Sequence, residues 1–180
     1  MEEKNRETPT LIRSDKTEQI KKKDEPWKIN IGEIKPNEFY YFPDNSKQKI
    51  YVNINSTGGC LETTAYLMYR LLSAKPRVIT ENMGQCLSGG FFVFICGDER
   101  ISFKHGLFLF HGGAHNGYRP VSALKDYLDK TTPIIDFTCR RLAKISTKSF
   151  SYWNHIVQSD KDVFFTAQEL KKIGIVTKIW

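Results

Sequence analysis

Short apolar runs with the composition of β-strands alternate with segments of helical periodicity along residues 26–180. Lys49–Asn55 is rich in β-branched and aromatic residues, which favour strands, and it leads into the glycine pair of Ser56–Gly59. After this pair, apolar side chains recur every three or four positions as far as Leu72, as they do on one face of a helix. Because strands that alternate with helices commonly pair in parallel, the pattern predicts an α/β fold.

The following segments continue this alternation. Arg77–Thr80 and Gly106–Phe110 are predicted strands, and the run Phe91–Cys96 is apolar on all sides, so we expect it to be buried. Glycines predict a tight turn ahead of this run, at residues 84–88, and a second turn after it, at residues 97–100. The buried run therefore begins at a turn, as a helix does when it follows a strand.

A long helix is predicted from Val121 to about Ile145, with a kink or a break at Pro133. Its apolar stripe consists of Val121, Leu124, Leu128, Ile135, Cys139 and Leu142. Near the end of the chain, Thr166–Glu169 has the form of a capping box, which predicts a helix that stops at Gly174 and leads to a short terminal strand.

Charge separates two regions of the chain. Residues 1–25 carry seven basic and seven acidic side chains and no apolar periodicity, so they are predicted to form a charged mobile tail. Residues 26–180 then form a single domain, which carries the whole net charge of +7. That charge is spread thinly, and its densest cluster is interpreted as a solvated helix face, so no nucleic acid partner is expected. The cluster consists of Arg140, Arg141, Lys144 and Lys148.

Other features narrow the class of protein. No apolar run reaches the roughly 18 residues of a membrane-spanning helix, and the N-terminal residues lack the apolar segment of a secretory signal. We therefore expect a cytoplasmic protein without a membrane partner. The cysteines show no spacing typical of a metal site, so buried free thiols and no metal or cofactor are predicted. They are Cys60, Cys86, Cys96 and Cys139.

Three polar residues stand at the ends of predicted elements. Ser88 precedes the buried run, His111 follows the strand that ends at Phe110, and Asp162 precedes the last helix. A serine hydroxyl needs a base to become a nucleophile, and a histidine that a carboxylate orients can act as that base. Each residue also has an ordinary structural interpretation, since a serine at a helix start is most often an N-cap. The rivals for the base and the acid are His105, His115, His155 and Asp160.

Four segments around these residues form ordered motifs. They are Ile54–Gly59 (INSTGG), Met83–Gly90 (MGQCLSGG), Leu109–His111 (LFH) and Asp162–Val176 (DVFFTAQELKKIGIV). Together they resemble the proteolytic subunit of the Clp protease family, with its glycine turn, its serine turn, its histidine at a strand end and its segment that begins with aspartate. The resemblance covers residues 48–180.

The resemblance implies a serine endopeptidase that cleaves unfolded polypeptides. Ser88 would be the nucleophile, His111 the base and Asp162 the residue that orients the base. Gly59 and Gly89 would supply the backbone N–H groups of an oxyanion hole. The remaining glycines of these turns would contact an extended substrate; they are Gly58, Gly112 and Gly113.

The resemblance also implies a fold and an assembly. The fold is of the Clp protease and crotonase type, an α/β fold of stacked β-β-α units with a protruding handle, here about residues 112–145, made of a strand and a long helix. The assembly is a homo-oligomer of two stacked seven-membered rings that an ATP-driven unfoldase feeds. Between Gly32 and Ile50 there are only 17 residues, too few for the family's first long helix, which puts the unfoldase partner and the ring size in question.

This sequence departs from the family's pattern at three places close to the motifs. Thr57 stands where the family usually has proline, Gly89 replaces a residue with a side chain, and Gly112-Gly113 replaces Gln-Pro. These differences keep a second interpretation open, a catalytically silent structural subunit of such an assembly. A third is an acyl-CoA enzyme of the crotonase type, which shares the fold and the paired N–H groups but needs no triad.

Overall fold

The computed structural model describes residues 26–42, 49–112, 121–159 and 161–180, and side chains in all these ranges except at 121–124. The strands are β1 (Trp27–Ile31), β2 (Ile50–Ser56), β3 (Val78–Leu87), β4 (Glu99–Ser102), β5 (Leu107–Phe110), β6 (Val163–Thr166) and β7 (Lys178–Ile179). The helices are α1 (Leu61–Leu72), α2 (Gly89–Phe94), α3 (Val121–Ile145), α4 (Phe150–Gln158) and α5 (Ala167–Lys172). The predicted tail, residues 1–25, lies outside the described residues.

The strands form one mostly parallel sheet in the order β1-β2-β3-β4-β7. Strand β5 pairs in parallel with the last residues of β3, and β6 pairs antiparallel with β5. Along β2, buried side chains at Ile50, Val52 and Ile54 alternate with more exposed ones, which fixes the register of the strand against the core. The α/β fold class predicted from the sequence is confirmed.

Strand β3 is longer than predicted and carries the chain directly to Ser88. The expected strand ended at Thr80 and a tight turn was expected over 84–88; instead, the strand runs to Leu87. The cause is Asn82, which is fully buried. Its side chain accepts a hydrogen bond from the Gly84 N–H (2.9 Å) and donates one to the carbonyl of Leu107 (3.3 Å). Asn82 thereby joins the part of β3 that pairs with β4 to the part that pairs with β5.

The predicted turn at residues 97–100 is half wrong, because Glu99 and Arg100 belong to β4. Arg100 is buried, and its guanidinium group donates hydrogen bonds to carbonyl groups of neighbouring segments. The acceptors are the carbonyls of Gly97 (2.8 Å), Gly174 (3.4 Å) and Ile175 (2.6 Å). Burial lowers the pKa of Arg100, with a smaller effect in the same direction from Arg141. An arginine in a four-residue strand gives no sequence signal for burial, which is why this strand was missed.

Helix α3 spans the predicted range without a break at Pro133. In the turn before the proline, the hydroxyl groups of Thr131 and Thr132 bond to the carbonyls of Tyr127 (2.9 Å) and Leu128 (2.7 Å). Of the predicted apolar stripe, the C-terminal residues are buried, whereas Leu128 is 52% exposed. The buried ones are Ile135, Cys139 and Leu142. The strand of the predicted handle, at 113–120, lies outside the described residues.

The predicted end of the chain is confirmed. Thr166 and Glu169 form a reciprocal capping box at the start of α5, and Gly174 has the positive φ (91°) expected after a helix end. Helix α4 was not predicted; it begins at the N-cap Ser149, whose hydroxyl accepts the N–H of Tyr152.

An aromatic cluster fills the space beneath Ser88 and His111. Phe91 of α2 packs edge-on against Phe108 and Phe110 of β5, with ring centroids 5.7 and 6.2 Å apart. The fully buried ring of Trp153 on α4 contacts Phe110 and Phe165 at 5.7 and 5.9 Å. Because these rings belong to four elements, they fix α2, β5, β6 and α4 relative to one another.

Candidate active site

Ser88 occupies a strained turn between β3 and α2. Its backbone has φ 51° and ψ −120°, a region that costs a non-glycine residue about 1–3 kcal/mol. The surrounding bonds hold it there: its N–H donates to the carbonyl of Leu109 (3.1 Å), and its carbonyl accepts the N–H groups of Phe91 and Phe92. Its hydroxyl makes no capping bond to α2. Ser88 therefore stands at the N-cap position of α2 without capping it through its side chain, and the hydroxyl is available for another partner.

The sheet register brings His111 beside both Ser88 and Asp162. In the antiparallel pair of β5 and β6, Phe110 lies opposite Val163, so the next residues, His111 and Asp162, face each other where the strands end. In the parallel pair of β3 and β5, Leu87 lies opposite Leu109, which places Ser88 one step further along the same edge. Residues far apart in the sequence thus meet because three strands end together.

The three side chains form a continuous chain of polar contacts. The Oγ of Ser88 lies 2.7 Å from Nε2 of His111, and Nδ1 of His111 lies 3.1 Å from Oδ1 of Asp162. A carboxylate can only accept a hydrogen bond, so in the neutral imidazole Nδ1 carries the proton and donates to Asp162. The unprotonated Nε2 then accepts the hydrogen bond of the Ser88 hydroxyl. This is the tautomer in which the imidazole can act as a base toward serine.

The burial of the three residues is unequal. The His111 side chain is 16% exposed, whereas that of Asp162 is 59% exposed. The rival histidines His105 and His155 are exposed on the surface, away from this contact chain, and the rivals His115 and Asp160 lie outside the described residues. Among the described residues, His111 is thus the histidine that the fold brings to Ser88.

The turn Gly58–Gly59 lies against the Ser88–Gly89 step. Both glycines have positive φ, 99° and 142°. A Cβ atom on Gly58 would lie 2.8 Å from Cβ of Ser88 and 3.0 Å from the backbone nitrogen of Gly89. A Cβ atom on Gly59 would lie only 2.0 Å from the carbonyl oxygen of Ile34. Glycine is therefore required at both positions, by conformation and by space.

Ile34 is a contributor to this site that the sequence did not indicate. Its N–H donates to the carbonyl of Gly58 (2.8 Å), and its carbonyl accepts the N–H of Cys60 (2.8 Å). The carbonyl of Gly58 and the N–H of Cys60 both point to Ile34. The N–H and the carbonyl of Gly59 belong to the same two trans peptide groups, so they point the opposite way. Both hydrogen bonds use main-chain atoms of Ile34, which every residue type has, so the sequence gives no signal for them.

The two glycines after His111 are only partly described. A Cβ atom on Gly112 would lie 2.6 Å from the carbonyl oxygen of Val157, so Gly112 permits close packing of this segment against α4. Gly113 lies outside the described residues. A role of either glycine in binding substrate stays a prediction.

Most cysteines are buried thiols away from the contact chain. Burial raises the pKa of the Cys86 thiol well above its usual range, that of Cys96 to about 12 and that of Cys139 to about 11. Cys60 is half-buried, with its Sγ 3.1 Å from Oε2 of Glu62. Among the described residues, no group of His, Cys, Asp and Glu side chains has the arrangement of a metal site. No helix in the same ranges combines the length and the apolar character that crossing a membrane would need.

Comparison with known proteins points to one family. The sequence model of the Clp protease family matches residues 38–180. The chain is similar to ATP-dependent Clp protease proteolytic subunit 3 of Synechococcus sp. (strain CC9605) and of Parasynechococcus marenigrum (strain WH8102), and to subunit 2 of Prochlorococcus marinus (strain MIT 9312). Each is 25% identical over 145 residues, covering 78% of this chain and 70% of the relative. The chain belongs to the Clp protease family.

Proposed function

We propose that this protein is a serine endopeptidase that uses Ser88, His111 and Asp162 as its catalytic residues. The observation that carries the proposal is the 2.7 Å contact between the Ser88 hydroxyl and Nε2 of His111. As Oγ attacks a peptide carbonyl, Nε2 takes the hydroxyl proton, and later delivers it to the leaving amine. Asp162 holds the ring in the required tautomer and stabilises the imidazolium that forms.

The oxyanion of the tetrahedral intermediate would accept hydrogen bonds from the N–H groups of Gly59 and Gly89. Gly89 is the first residue of α2, so its N–H has no acceptor within the helix. Gly58 lies close to the backbone nitrogen of Gly89 and leaves space beside Ser88, because it has no side chain. An oxyanion-hole donor is typically worth about 3 kcal/mol of transition-state stabilisation, because it is already oriented before charge develops.

The proposed substrate is an unfolded polypeptide, cleaved in an oligomeric chamber in the cytoplasm. Three relatives carry "ATP-dependent Clp protease proteolytic subunit" as their name, which makes an assembly of this kind the natural context. Residues 26–42 and 49–60 contain no helix, and the sequence between Gly32 and Ile50 is short for the family's first long helix. An unfoldase partner is therefore left outside the proposal, and hydrolysis of short peptides is its core.

Two other interpretations remain as outcomes of the test. A silent structural subunit needs no contact between Ser88 and His111, and the 2.7 Å distance favours the enzyme. An acyl-CoA enzyme of the crotonase type needs neither residue, and membership of the Clp protease family favours a peptidase.

The proposal predicts that Ser88→Ala lowers kcat/KM for a short fluorogenic peptide about 10⁴-fold or more. Because the hydroxyl makes no capping bond, the variant should unfold at nearly the wild-type denaturant concentration. Equal turnover by wild type and Ser88→Ala would contradict the proposal. An inactive wild type that joins an active paralogue's assembly would identify a structural subunit, and thioester hydrolysis without peptide cleavage would identify an acyl-CoA enzyme.

A further inference from the structure

The turn around Gly59 is bonded at the backbone groups that flank this glycine. The N–H of Gly58 donates to the Ser56 Oγ (3.0 Å), and the carbonyl of Gly58 accepts from Ile34. The N–H of Cys60 donates to Ile34, and its carbonyl accepts from Thr64. The N–H of Gly59, by contrast, has no acceptor among the described residues. The Gly59 N–H is thus a free donor in a turn whose flanking N–H and carbonyl groups are hydrogen-bonded.

Thr64 joins this turn to the start of α2. The residue is fully buried, and its hydroxyl donates to the carbonyl of Cys60 at 2.8 Å. The same oxygen lies 2.6 Å from the position that a Cβ atom on Gly89 would occupy. One side chain therefore bonds to the residue after Gly59 and lies close to Gly89. Its oxygen also fills the space that a side chain at position 89 would take.

Ser56 also joins the glycine turn to the start of α2. It is also buried, at 1% exposure, and its Oγ accepts the N–H of Gly58. A Cβ atom on Gly90 would lie 2.9 Å from Cβ of Ser56, so the two residues are in close contact. Ser56 and Thr64 each bond to the glycine turn and pack against the first turn of α2.

We propose that Ser56 and Thr64 are positioning residues, which hold the N–H groups of Gly59 and Gly89 at a fixed separation. The inference rests on the proposed function, in which these two groups bind the oxyanion. Oxyanion donors must lie about 2.7–3.1 Å from the charged oxygen, so a displacement of a few tenths of an ångström weakens both bonds. Neither hydroxyl touches the reacting atoms, and their effect is exerted through the glycines.

An ordinary structural role would give different kinetics. A serine hydroxyl that accepts an N–H two residues on, and a threonine hydroxyl that bonds to the carbonyl four residues back, are common local motifs. Losing such a bond lowers stability but leaves kcat unchanged in the molecules that remain folded. Loss of a positioning contact lowers kcat while KM, which reflects binding of the uncharged substrate, stays nearly constant.

The first test replaces Thr64 by valine, which keeps the shape and removes the hydroxyl. We expect Thr64→Val to lower kcat for the fluorogenic peptide about tenfold or more, with KM changed less than twofold. Thr64→Ser should keep most of the wild-type kcat, because it retains the hydroxyl. The matched control is Thr63→Val, a buried threonine at the preceding position of α1, which should keep the wild-type kcat. Equal kcat values for Thr64→Val and Thr63→Val would overturn the assignment of Thr64.

A double-mutant cycle covers the case in which Thr64→Val does not fold. Gly89→Ala places a methyl group against the Thr64 oxygen, so kcat should fall about tenfold or more. The cycle is completed by Thr64→Ala and Gly89→Ala/Thr64→Ala, and we expect kcat of the double variant to be no lower than that of the poorer single variant, not the product of the two losses. If the two changes are additive, Thr64 does not set the position of Gly89.

Ser56→Ala is tested in the same assay, with an expected fall in kcat of about tenfold at nearly constant KM. An unchanged kcat would remove Ser56 from the proposal. Failure of the proposed function is distinguishable, because the wild type would then hydrolyse the peptide no faster than Ser88→Ala. That result would reject both the proposed function and the positioning role. If the wild type is active and the Thr64 and Ser56 variants keep its kcat, only the positioning role is rejected.

Discussion

The two halves of the candidate site are built differently. The half that carries Ser88 and the glycine turn is held by main-chain bonds from three segments, those of Ile34, Leu109 and α2. The half that carries Asp162 stands at a strand end, with its side chain 59% exposed. His111 lies between them, nearly buried, with one ring nitrogen on each half.

The difference follows from what each half must do. In the proposed mechanism, a nucleophile at a strained φ and two oriented N–H groups keep their geometry only where the surroundings allow no other arrangement. A carboxylate that orients one ring needs a single contact, and water solvates its remaining oxygen. The chemistry of the site therefore depends more on the backbone of the Ser88 half than on the position of Asp162.

Among the substitutions that test the difference between the two halves, we expect Asp162→Ala to have the largest effect on kcat. We expect Asp162→Ala to lower kcat about 10²- to 10³-fold, less than Ser88→Ala, because in serine triads loss of the acid costs less than loss of the nucleophile. Exposure of Asp162 lessens the loss further, since water can accept the hydrogen bond from Nδ1–H in its place and screens the charge of the carboxylate. Steady-state hydrolysis of the fluorogenic peptide measures both variants.

Asp160→Ala is the matched control for this prediction, since it removes the other carboxylate that the sequence offered as the acid. It should keep nearly the wild-type kcat. If Asp160→Ala is inactive and Asp162→Ala is active, the acid has been assigned to the wrong residue.

A smaller effect is expected from a single methyl group in the glycine turn. Gly58→Ala forces a residue with φ 99° to carry a side chain 2.8 Å from Cβ of Ser88, so the turn must shift. We expect kcat to fall about 10²-fold, comparable to the loss of one oxyanion donor. Gly32→Ala is the control, because a Cβ atom there has no neighbour within 4 Å. Similar kcat values for the two variants would show that the Ser88 half tolerates displacement, against the comparison drawn here.

The smallest effect is expected at the far end of the Asp162 half, where β6 enters α5. Hydrogen bonds from the backbone N–H and the hydroxyl of Thr166 lower the pKa of Glu169. A carboxyl group with a lowered pKa in the folded state adds stability above its unfolded pKa of about 4.3, and this is lost as pH falls through the folded pKa. Because the group is exposed, the gain should stay below about 1 kcal/mol.

Glu169→Gln should therefore unfold at a lower urea concentration than wild type at pH 7, with the difference shrinking as pH falls below about 4.3. Activity at pH 7 should be unchanged, because the capping box lies away from the Ser88 half. The control is Glu33→Gln, an exposed carboxyl group outside the helices. A constant difference between wild type and Glu169→Gln at all pH values would contradict the proposed cause.

The sequence predicted those parts of the fold that local patterns determine. The helix of residues 61–72 follows from its apolar spacing, and the start of α5 from the Thr166–Glu169 capping box. It did not predict features that depend on distant partners. Strand β3 continues past Thr80 because buried Asn82 bonds to β5, and β4 contains a buried arginine whose acceptors lie up to 75 residues away.

The site shows the same division between local and distant information. Ser88, His111 and Asp162 were named from their places at element ends, but residue type alone left other histidines and another aspartate as candidates. The register of three strands, which no local pattern specifies, is what brings them together. The contribution of Ile34 is made by main-chain atoms, and that of Thr64 depends on a glycine 25 positions later in the chain.

The most direct measurement of the central claim is the position at which a fluorophosphonate reacts. The account predicts that, after digestion and mass spectrometry, the phosphonyl group is found on Ser88 of the wild type. His111→Ala should lose the label although Ser88 is still present, because the hydroxyl then lacks its base. A label on another residue, or one of equal strength in His111→Ala, would contradict the proposal that Ser88 is a nucleophile activated by His111.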